Sequence, residues 1–202
     1  MHTIKPNSGI TIAGIRQYGK TTFAKHLIRK FVAAGVHVVI YDPLRQYTEF
    51  NSHIPQYFGT ASQMAEFDSI AGQIWQQHFD AYYNDNSTAQ KPRTMLVVEE
   101  CENFIGQGMA KSAGMVKIVN MGGNVGIGYT AITRRISNLD KTVFSLSDNV
   151  FIFRFFSNND IKYCAEFLPS GYDALLPKLT VGEYLHYKGD GSVIRCAPIA
   201  LR

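Results

Sequence analysis

Cysteine, net charge and long apolar runs are all scarce in this sequence. The three cysteines, Cys101, Cys164 and Cys196, are odd in number and show no CxxC spacing, so neither a zinc site nor a disulfide framework is expected. A single bridge between Cys164 and Cys196 stays open as an alternative. No stretch approaches the roughly 20 apolar residues of a membrane span, and the opening residues lack the apolar core of a secretory signal. We therefore expect no transmembrane segment and a protein that stays in the compartment where it is made.

The charge balance is only mildly basic. Lys and Arg number 20 against 16 for Asp and Glu, which gives a net charge of +4. This surplus is compatible with nucleic-acid contact but does not indicate it alone, since most weakly basic proteins do not bind nucleic acid. The 202 residues, 46% of them hydrophobic, suffice for one sizeable domain with a buried core. We expect a single domain over residues 1–202.

Short apolar runs alternate with helical patterns along the chain. Strands are predicted at 10–13, 36–41, 95–98, 129–133 and 150–155, and helices at 21–34, 61–83, 109–121 and 159–167, with a further helix beginning near Glu102. Such alternation predicts an α/β fold with a mostly parallel sheet and right-handed crossovers. The strands lack strict apolar–polar alternation, which is typical of a sheet covered on both faces. The KGDG run at 188–191 predicts a terminal hairpin that adds antiparallel edge strands.

The segment GIRQYGKT, from Gly14 to Thr21, fits the pattern G-x-x-x-x-G-K-[ST] at every fixed position. It lies between an apolar strand and an amphipathic helix, as a phosphate-binding loop requires. Its glycines allow backbone N–H groups to point at an anion, Lys20 adds positive charge for the β- and γ-phosphates, and the Thr21 hydroxyl is a ligand for Mg²⁺. The plainer interpretation is a glycine turn before a helix with an exposed lysine. The residues expected to contact ATP are Gly14, Gln17, Tyr18, Gly19, Lys20, Thr21 and Thr22.

An acidic pair follows the apolar run TMLVV. Four apolar residues place Glu99 and Glu100 at the carboxyl edge of the sheet, where open α/β folds bind ligands. We expect this strand to neighbour the phosphate-loop strand, with Glu99 holding Mg²⁺ through water. Glu100 would orient or deprotonate the attacking water. The alternative is a strand that ends in two solvated acids.

Taken in order, the phosphate loop, VVIYDP, LVVEECENF, GIGYTAITRRISNLD and FIFRF resemble the FtsK/HerA superfamily of DNA-pumping ATPases. Within it, the sequence is most similar to the small genome-packaging ATPases of turreted icosahedral archaeal viruses. The resemblance implies a P-loop ATPase fold of the RecA/FtsK type, ATP and Mg²⁺ as cofactors, double-stranded DNA as substrate and a homo-oligomeric ring. It also implies a viral capsid or membrane vertex as partner and a location in the host cytoplasm or on the virion.

The sequence departs from this superfamily in its arginines. Arg134 stands where the superfamily often has a glutamine that senses the γ-phosphate, and the arginine expected near residues 123–124 is absent. Arg134 or Arg135 could instead stabilise charge on the transferred phosphoryl group, the alternative being two surface arginines on a loop. Arg154 is expected to be structural or to lie at an interface. The candidate DNA contacts are Lys111, Lys117, Arg135 and Lys141.

Three other functions stay open. A small-molecule or nucleotide kinase shares the phosphate loop but usually carries an arginine-rich lid, and this chain has little arginine between residue 122 and Arg134. A membrane-associated assembly ATPase, similar to the zonula occludens toxin of filamentous phages, usually has a transmembrane segment. A nucleotide-binding switch that does not hydrolyse ATP is disfavoured by Glu100.

Overall fold

The computed structural model describes residues 4–56, 61–84 and 91–200. Among these residues, seven strands form one sheet: β1 (Gly9–Ala13), β2 (His37–Tyr41), β3 (Thr94–Val98), β4 (Ile127–Thr133), β5 (Asn149–Ile152), β6 (Tyr184–Lys188) and β7 (Val193–Cys196). The α-helices are α1 (Lys20–Ala33), α2 (Ala61–Phe79), α3 (Ala113–Met121), α4 (Lys141–Ser145) and α5 (Asn158–Ala165). The predicted α/β class is confirmed.

The strand order is β2-β3-β4-β1-β5-β6-β7. The first five strands are parallel, and β6 and β7 add antiparallel pairings at one edge, as the hairpin signal predicted. One expectation was wrong: β3 does not neighbour β1, because β4 pairs with both and lies between them. The carboxyl ends of β1, β4 and β3 nevertheless lie along the same edge of the sheet, since parallel strands all end there.

The central strands β1, β3 and β4 are buried on both faces, which explains why they are almost continuously apolar. Along β3, Met95 and Val97 pack in the cluster that contains α1, whereas Leu96 and Val98 pack against α2 and α3 on the other face. All five residues of β3 are buried. The central strands thus form a rigid platform whose carboxyl edge carries the connecting loops.

Several local predictions need correction. The helix expected near Glu102 is a single 3₁₀ turn, Cys101–Asn103, and α3 begins only at Ala113, because the Ser112 hydroxyl caps its first turn by accepting from the Met115 amide at 3.1 Å. The helix α4 was not predicted. The bridge between Cys164 and Cys196 is not formed. Within the described part of the chain, no helix combines the length and hydropathy needed to cross a membrane.

Candidate functional site

The loop between β1 and α1 has a backbone that only certain residues tolerate. Gly14 has φ of +148°, and a Cβ there would lie 2.6 Å from the Cβ of Phe153, so a side chain cannot be accommodated. Gly19 has φ of +100°. Gln17 also lies in the left-handed region, with φ of 64°, which is unusual for a residue other than glycine. These conformations curl the loop back on itself, as the phosphate-loop pattern predicts.

The start of α1 leaves its backbone N–H groups available to an anion. Gly19 occupies the N-cap position without a side-chain cap, and the first turn contains no acidic residue. An uncapped helix start combines orphan N–H donors with the positive end of the helix dipole, which favours a phosphate group.

Lys20 lies at the base of this loop and is largely buried, with 8% of its surface exposed. Its ammonium group donates a hydrogen bond to the carbonyl oxygen of Ile15 at 2.8 Å, which holds the lysine under the loop. Burial lowers the pKa of Lys20 to about 8, and the negative charge of Glu99 opposes that shift. A desolvated cation of this kind attracts a polyanion strongly, because little water screens it.

Glu99 is the first acid after β3 and is almost completely buried. Burial raises its pKa, while a hydrogen bond from Tyr47 and the charge of Lys20 act in the opposite direction. The Tyr47 hydroxyl donates to Oε1 at 2.8 Å, and the Glu100 amide donates to Oε2 at 3.3 Å. The carboxylate is therefore fixed in orientation and charge-coupled to the phosphate-loop lysine.

Glu100 follows with a left-handed backbone, φ 54°. Its Oε1 lies 2.6 Å from an Nη of Arg134, at the end of β4, and both side chains are only about one fifth exposed (20% and 23%). The N–H bonds are not aligned for a hydrogen bond, so the contact is an ion pair. The structure thus joins the predicted base to the first candidate arginine.

A third acid in this cluster, Glu102, was not predicted from the sequence. Its pKa is raised to about 7, mainly by burial and in smaller part by the negative charge of Glu100, against the opposing effect of hydrogen bonds that include those from Thr133 and the Arg134 backbone. Its Oε2 is buried without a hydrogen-bond partner. The only signal in the sequence was an acid three residues after Glu99, which we interpreted as the start of a helix.

The loop after β2 was also missed. The Thr21 hydroxyl donates to Oε1 of Gln46 at 2.8 Å, and the next residue, Tyr47, is the donor to Glu99. The YDP segment is apparent in the sequence, but the spacing of its residues does not reveal contacts with residues 25 and 52 positions away.

A cleft of about 590 Å³ opens beside these groups at the carboxyl edge of the sheet. Arg134 lines this cleft. So do most of the residues predicted to bind the nucleotide or the metal, namely Gln17, Gly19, Lys20, Thr21, Thr22 and Glu99. The predicted residues Gly14, Tyr18, Glu100 and Arg135 are not in the lining, although Gly14 and Tyr18 belong to the loop that forms one wall. Arg16, Leu44, Gln46 and Val181 line the cleft without having been predicted.

The donor set fits Mg²⁺. Among the described residues, no cluster of three or more His, Cys, Asp or Glu side chains is arranged to hold a metal alone. Mg²⁺ however uses one or two protein oxygens and completes its shell with water and substrate phosphates. Thr21 and Glu99 both line the cleft and both offer hard oxygen atoms that could serve as such ligands.

The remaining basic candidates are separate from this cluster. Arg135 is exposed. Arg154 donates to the Tyr18 hydroxyl at 3.0 Å and lies over the rings of Tyr18 and Phe156, with 5.2 and 4.2 Å to the ring centroids. It therefore supports the phosphate loop from outside the cleft, which agrees with a structural role.

Two of the predicted DNA contacts are engaged with acids. Lys111 pairs with Asp140, and Lys141 pairs with Glu166 at 2.7 Å. Lys117 is exposed on α3. The structure leaves the DNA-contacting role of all four basic residues as a prediction.

Comparison with solved structures gives matches along almost the whole chain. The genome-packaging NTPase B204 of Sulfolobus turreted icosahedral virus 2, in complex with ATP-gammaS, matches with a TM-score of 0.76 and 15% identity, over 98% of this chain and 100% of that chain. The pCW3 conjugation coupling protein TcpA with ATPgS gives a TM-score of 0.66 and 12% identity, over 95% and 60%. ATPases 2 and 3 of EssC from Geobacillus thermodenitrificans give 0.63 and 16%, over 94% and 39%.

No protein-family model matches the sequence, and no curated protein matches it by sequence. At 12–16% identity, the structural matches show the fold alone, which is that of P-loop ATPases. They therefore confirm the P-loop ATPase fold that the resemblance implied.

Proposed function

We propose that this chain is an ATP-hydrolysing double-stranded DNA translocase that packages a viral genome into its capsid. Residues 1–202 act as a single motor domain within a homo-oligomeric ring in the host cytoplasm. The observation that carries the ATPase part is the convergence of Lys20, Thr21 and Glu99 on one cleft beside the Glu100–Arg134 ion pair. The DNA part is supported by structural likeness to a viral genome-packaging NTPase.

The phosphate loop binds and orients the triphosphate. Backbone N–H groups from the curled loop and from the uncapped start of α1 donate to phosphate oxygens. Lys20 moves its ammonium from the Ile15 carbonyl to the β- and γ-phosphates, because a phosphate oxygen is a stronger acceptor than a neutral carbonyl. Thr21 and Glu99 are the residues that would hold Mg²⁺, which supplies neutralisation of charge on the phosphate oxygens when bound.

Glu100 activates the attacking water. As general base, its carboxylate accepts a proton from the water as the water oxygen attacks the γ-phosphorus. The bond from the γ-phosphorus to the β–γ bridging oxygen breaks in the same step, and ADP leaves with that oxygen. The Arg134 guanidinium, held against Oε1, orients this carboxylate within the same subunit. Arg135, exposed beside it, is available to the nucleotide of a neighbouring subunit as an arginine finger.

Translocation is tested by displacement of a third strand. A fluorescent oligonucleotide forms a triplex at one end of a linear double-stranded DNA, and a motor that moves along the duplex strips it off. We expect displacement that requires ATP and is lost in Lys20→Ala. A protein that hydrolyses ATP but displaces no third strand contradicts translocation and leaves the ATPase assignment standing.

A further inference from the structure

The loop that leaves β2 is anchored by one buried acid. Asp42 is completely buried, and its carboxylate accepts from the amides of Gln46 at 2.9 Å and Tyr47 at 2.8 Å and from the Ser52 hydroxyl at 3.0 Å. Three donors compensate the buried charge. They also fix where the Gln46 and Tyr47 side chains leave the backbone, since the backbone N–H groups of both residues donate to the Asp42 carboxylate.

From that anchor, two consecutive side chains reach the two predicted metal ligands. Gln46 contacts the Thr21 hydroxyl at 2.8 Å, and Tyr47 contacts the Glu99 carboxylate at 2.8 Å. Thr21 belongs to α1 and Glu99 follows β3, so the ligands come from distant parts of the chain. One short loop therefore fixes both at once.

The direction of the Thr21 hydrogen bond suits metal binding. A hydroxyl has one proton and two lone pairs, and a metal ligand uses a lone pair, so the proton must point elsewhere. Oε1 of Gln46 accepts that proton, which leaves the Thr21 oxygen able to offer a lone pair to the cleft.

The Tyr47 hydroxyl does the corresponding work for Glu99. The Tyr47 ring is completely buried in the cluster that covers the α1 face of the sheet, and its hydroxyl is directed at Oε1 of Glu99. Packing accounts for the ring but not for the hydroxyl, which a phenylalanine would lack. The hydrogen bond restrains rotation of the carboxylate, as partners of metal ligands commonly do.

We propose that the Asp42–Tyr47 loop positions the Mg²⁺ ligands, with Gln46 setting the proton direction of Thr21 and Tyr47 setting the rotation of Glu99. The inference rests on the proposed nucleotide site and deepens it. Gln46 and Tyr47 are positioning residues, because both act through other side chains.

Binding of ADP, measured with and without magnesium, tests this directly. Each protein is titrated with ADP in a calorimeter, once with Mg²⁺ and once with EDTA, and the ratio of the two dissociation constants is the magnesium-dependent gain. We expect the magnesium-dependent gain to be about tenfold smaller in Tyr47→Phe and in Gln46→Ala than in the wild type. This is the lower end of the losses seen when partners of metal ligands are removed. For Tyr47→Phe, affinity in EDTA should stay within about twofold, because Tyr47 is buried and does not line the cleft.

Matched controls separate positioning from general damage. Tyr41→Phe removes another buried hydroxyl, one that donates to the Gln63 carbonyl on the opposite face of the sheet. Gln73→Ala removes an exposed amide on α2. Both should retain the wild-type gain. In a Thr21→Ala background, Gln46→Ala should have no further effect, because the hydroxyl through which it acts is gone.

Three results with the variants overturn the inference. The first is an equal loss of ADP affinity with Mg²⁺ and with EDTA, and the second is a wild-type gain in both loop variants. The third is a loss of gain from Gln46→Ala that persists in the Thr21→Ala background. A wild type whose ADP affinity is unaffected by Mg²⁺ also overturns it, while binding in EDTA still supports the phosphate site. A wild type that binds ADP in neither condition refutes the proposed function together with the inference.

Discussion

The third acid, Glu102, gives a quantitative prediction for stability against pH. Its Oε2 is buried without a partner, and burial raises its pKa from 4.5 to about 7. The folded protein therefore holds this proton up to a higher pH than the unfolded chain does. Between these two pKa values the native state binds more protons, so ionisation of Glu102 lowers the free energy of unfolding as pH rises from 4.5 to 7.

Glu102→Gln removes the charge and keeps an oxygen that can accept from Thr133 and the Arg134 amide. At about 1.36 kcal/mol for each pKa unit, a shift from 4.5 to about 7 corresponds to roughly 3 kcal/mol. We expect the variant to match the wild type near pH 4.5. It should become more stable by up to roughly 3 kcal/mol at pH 8, where the wild-type carboxylate is ionised.

Urea unfolding at half-unit pH steps from 4.5 to 8 measures this difference, since ionisations common to both proteins cancel. Glu183→Gln is the control with the opposite sign. Hydrogen bonds from Thr180 and Arg195 lower the pKa of Glu183 to about 2. That acid contributes stability above pH 4.5 which is lost as pH falls through 2, so its removal should destabilise at neutral pH. If the free energies of unfolding of Glu102→Gln and the wild type differ by the same amount at every pH, the reasoning is refuted.

The remaining predictions concern the cleft. Lys20→Ala should lose nucleotide binding, which calorimetry measures. Its melting temperature should not fall, because burial lowers the pKa of this lysine to about 8 and the buried cation therefore opposes folding at neutral pH; thermal melting checks this. Glu100→Gln should still bind MgATP but lose hydrolysis, since an amide cannot take a proton; failure of binding would make Glu100 a ligand. Arg134→Ala should slow hydrolysis in its own subunit. If Arg135 acts on the nucleotide of the neighbouring subunit, Arg135→Ala should lower the rate of ATP hydrolysis on the order of 10³-fold. Mixing the Arg135→Ala and Glu100→Gln proteins should then restore part of the hydrolysis rate.

Much of the fold could be predicted from local pattern. The apolar runs that became β1 to β5 are bounded by glycine, proline or charged residues, and the phosphate-loop pattern identifies the β1–α1 junction. Strand order could not be predicted, because the crossovers decide which strands pair. The parallel pairing of β4 with both β1 and β3 is a property of the assembled sheet.

The candidate site was predictable where one motif supplies several residues and not where contacts join distant segments. Lys20 and Thr21 follow from one pattern, and Glu99 from the end of an apolar strand. The Tyr47 and Gln46 contacts depend on how the loop after β2 folds around Asp42, which spacing does not encode. Glu102 was misinterpreted because an acid after a strand is equally typical of a helix start.

The rate of ATP hydrolysis with and without double-stranded DNA tests the central claim most directly. Purified wild-type protein is assayed over a range of protein concentrations, with single-stranded DNA as the control and Glu100→Gln as the background. We predict hydrolysis that double-stranded DNA stimulates and that rises more than linearly with protein concentration, as sites form between subunits. A rate that equals the Glu100→Gln background under every condition would contradict the account.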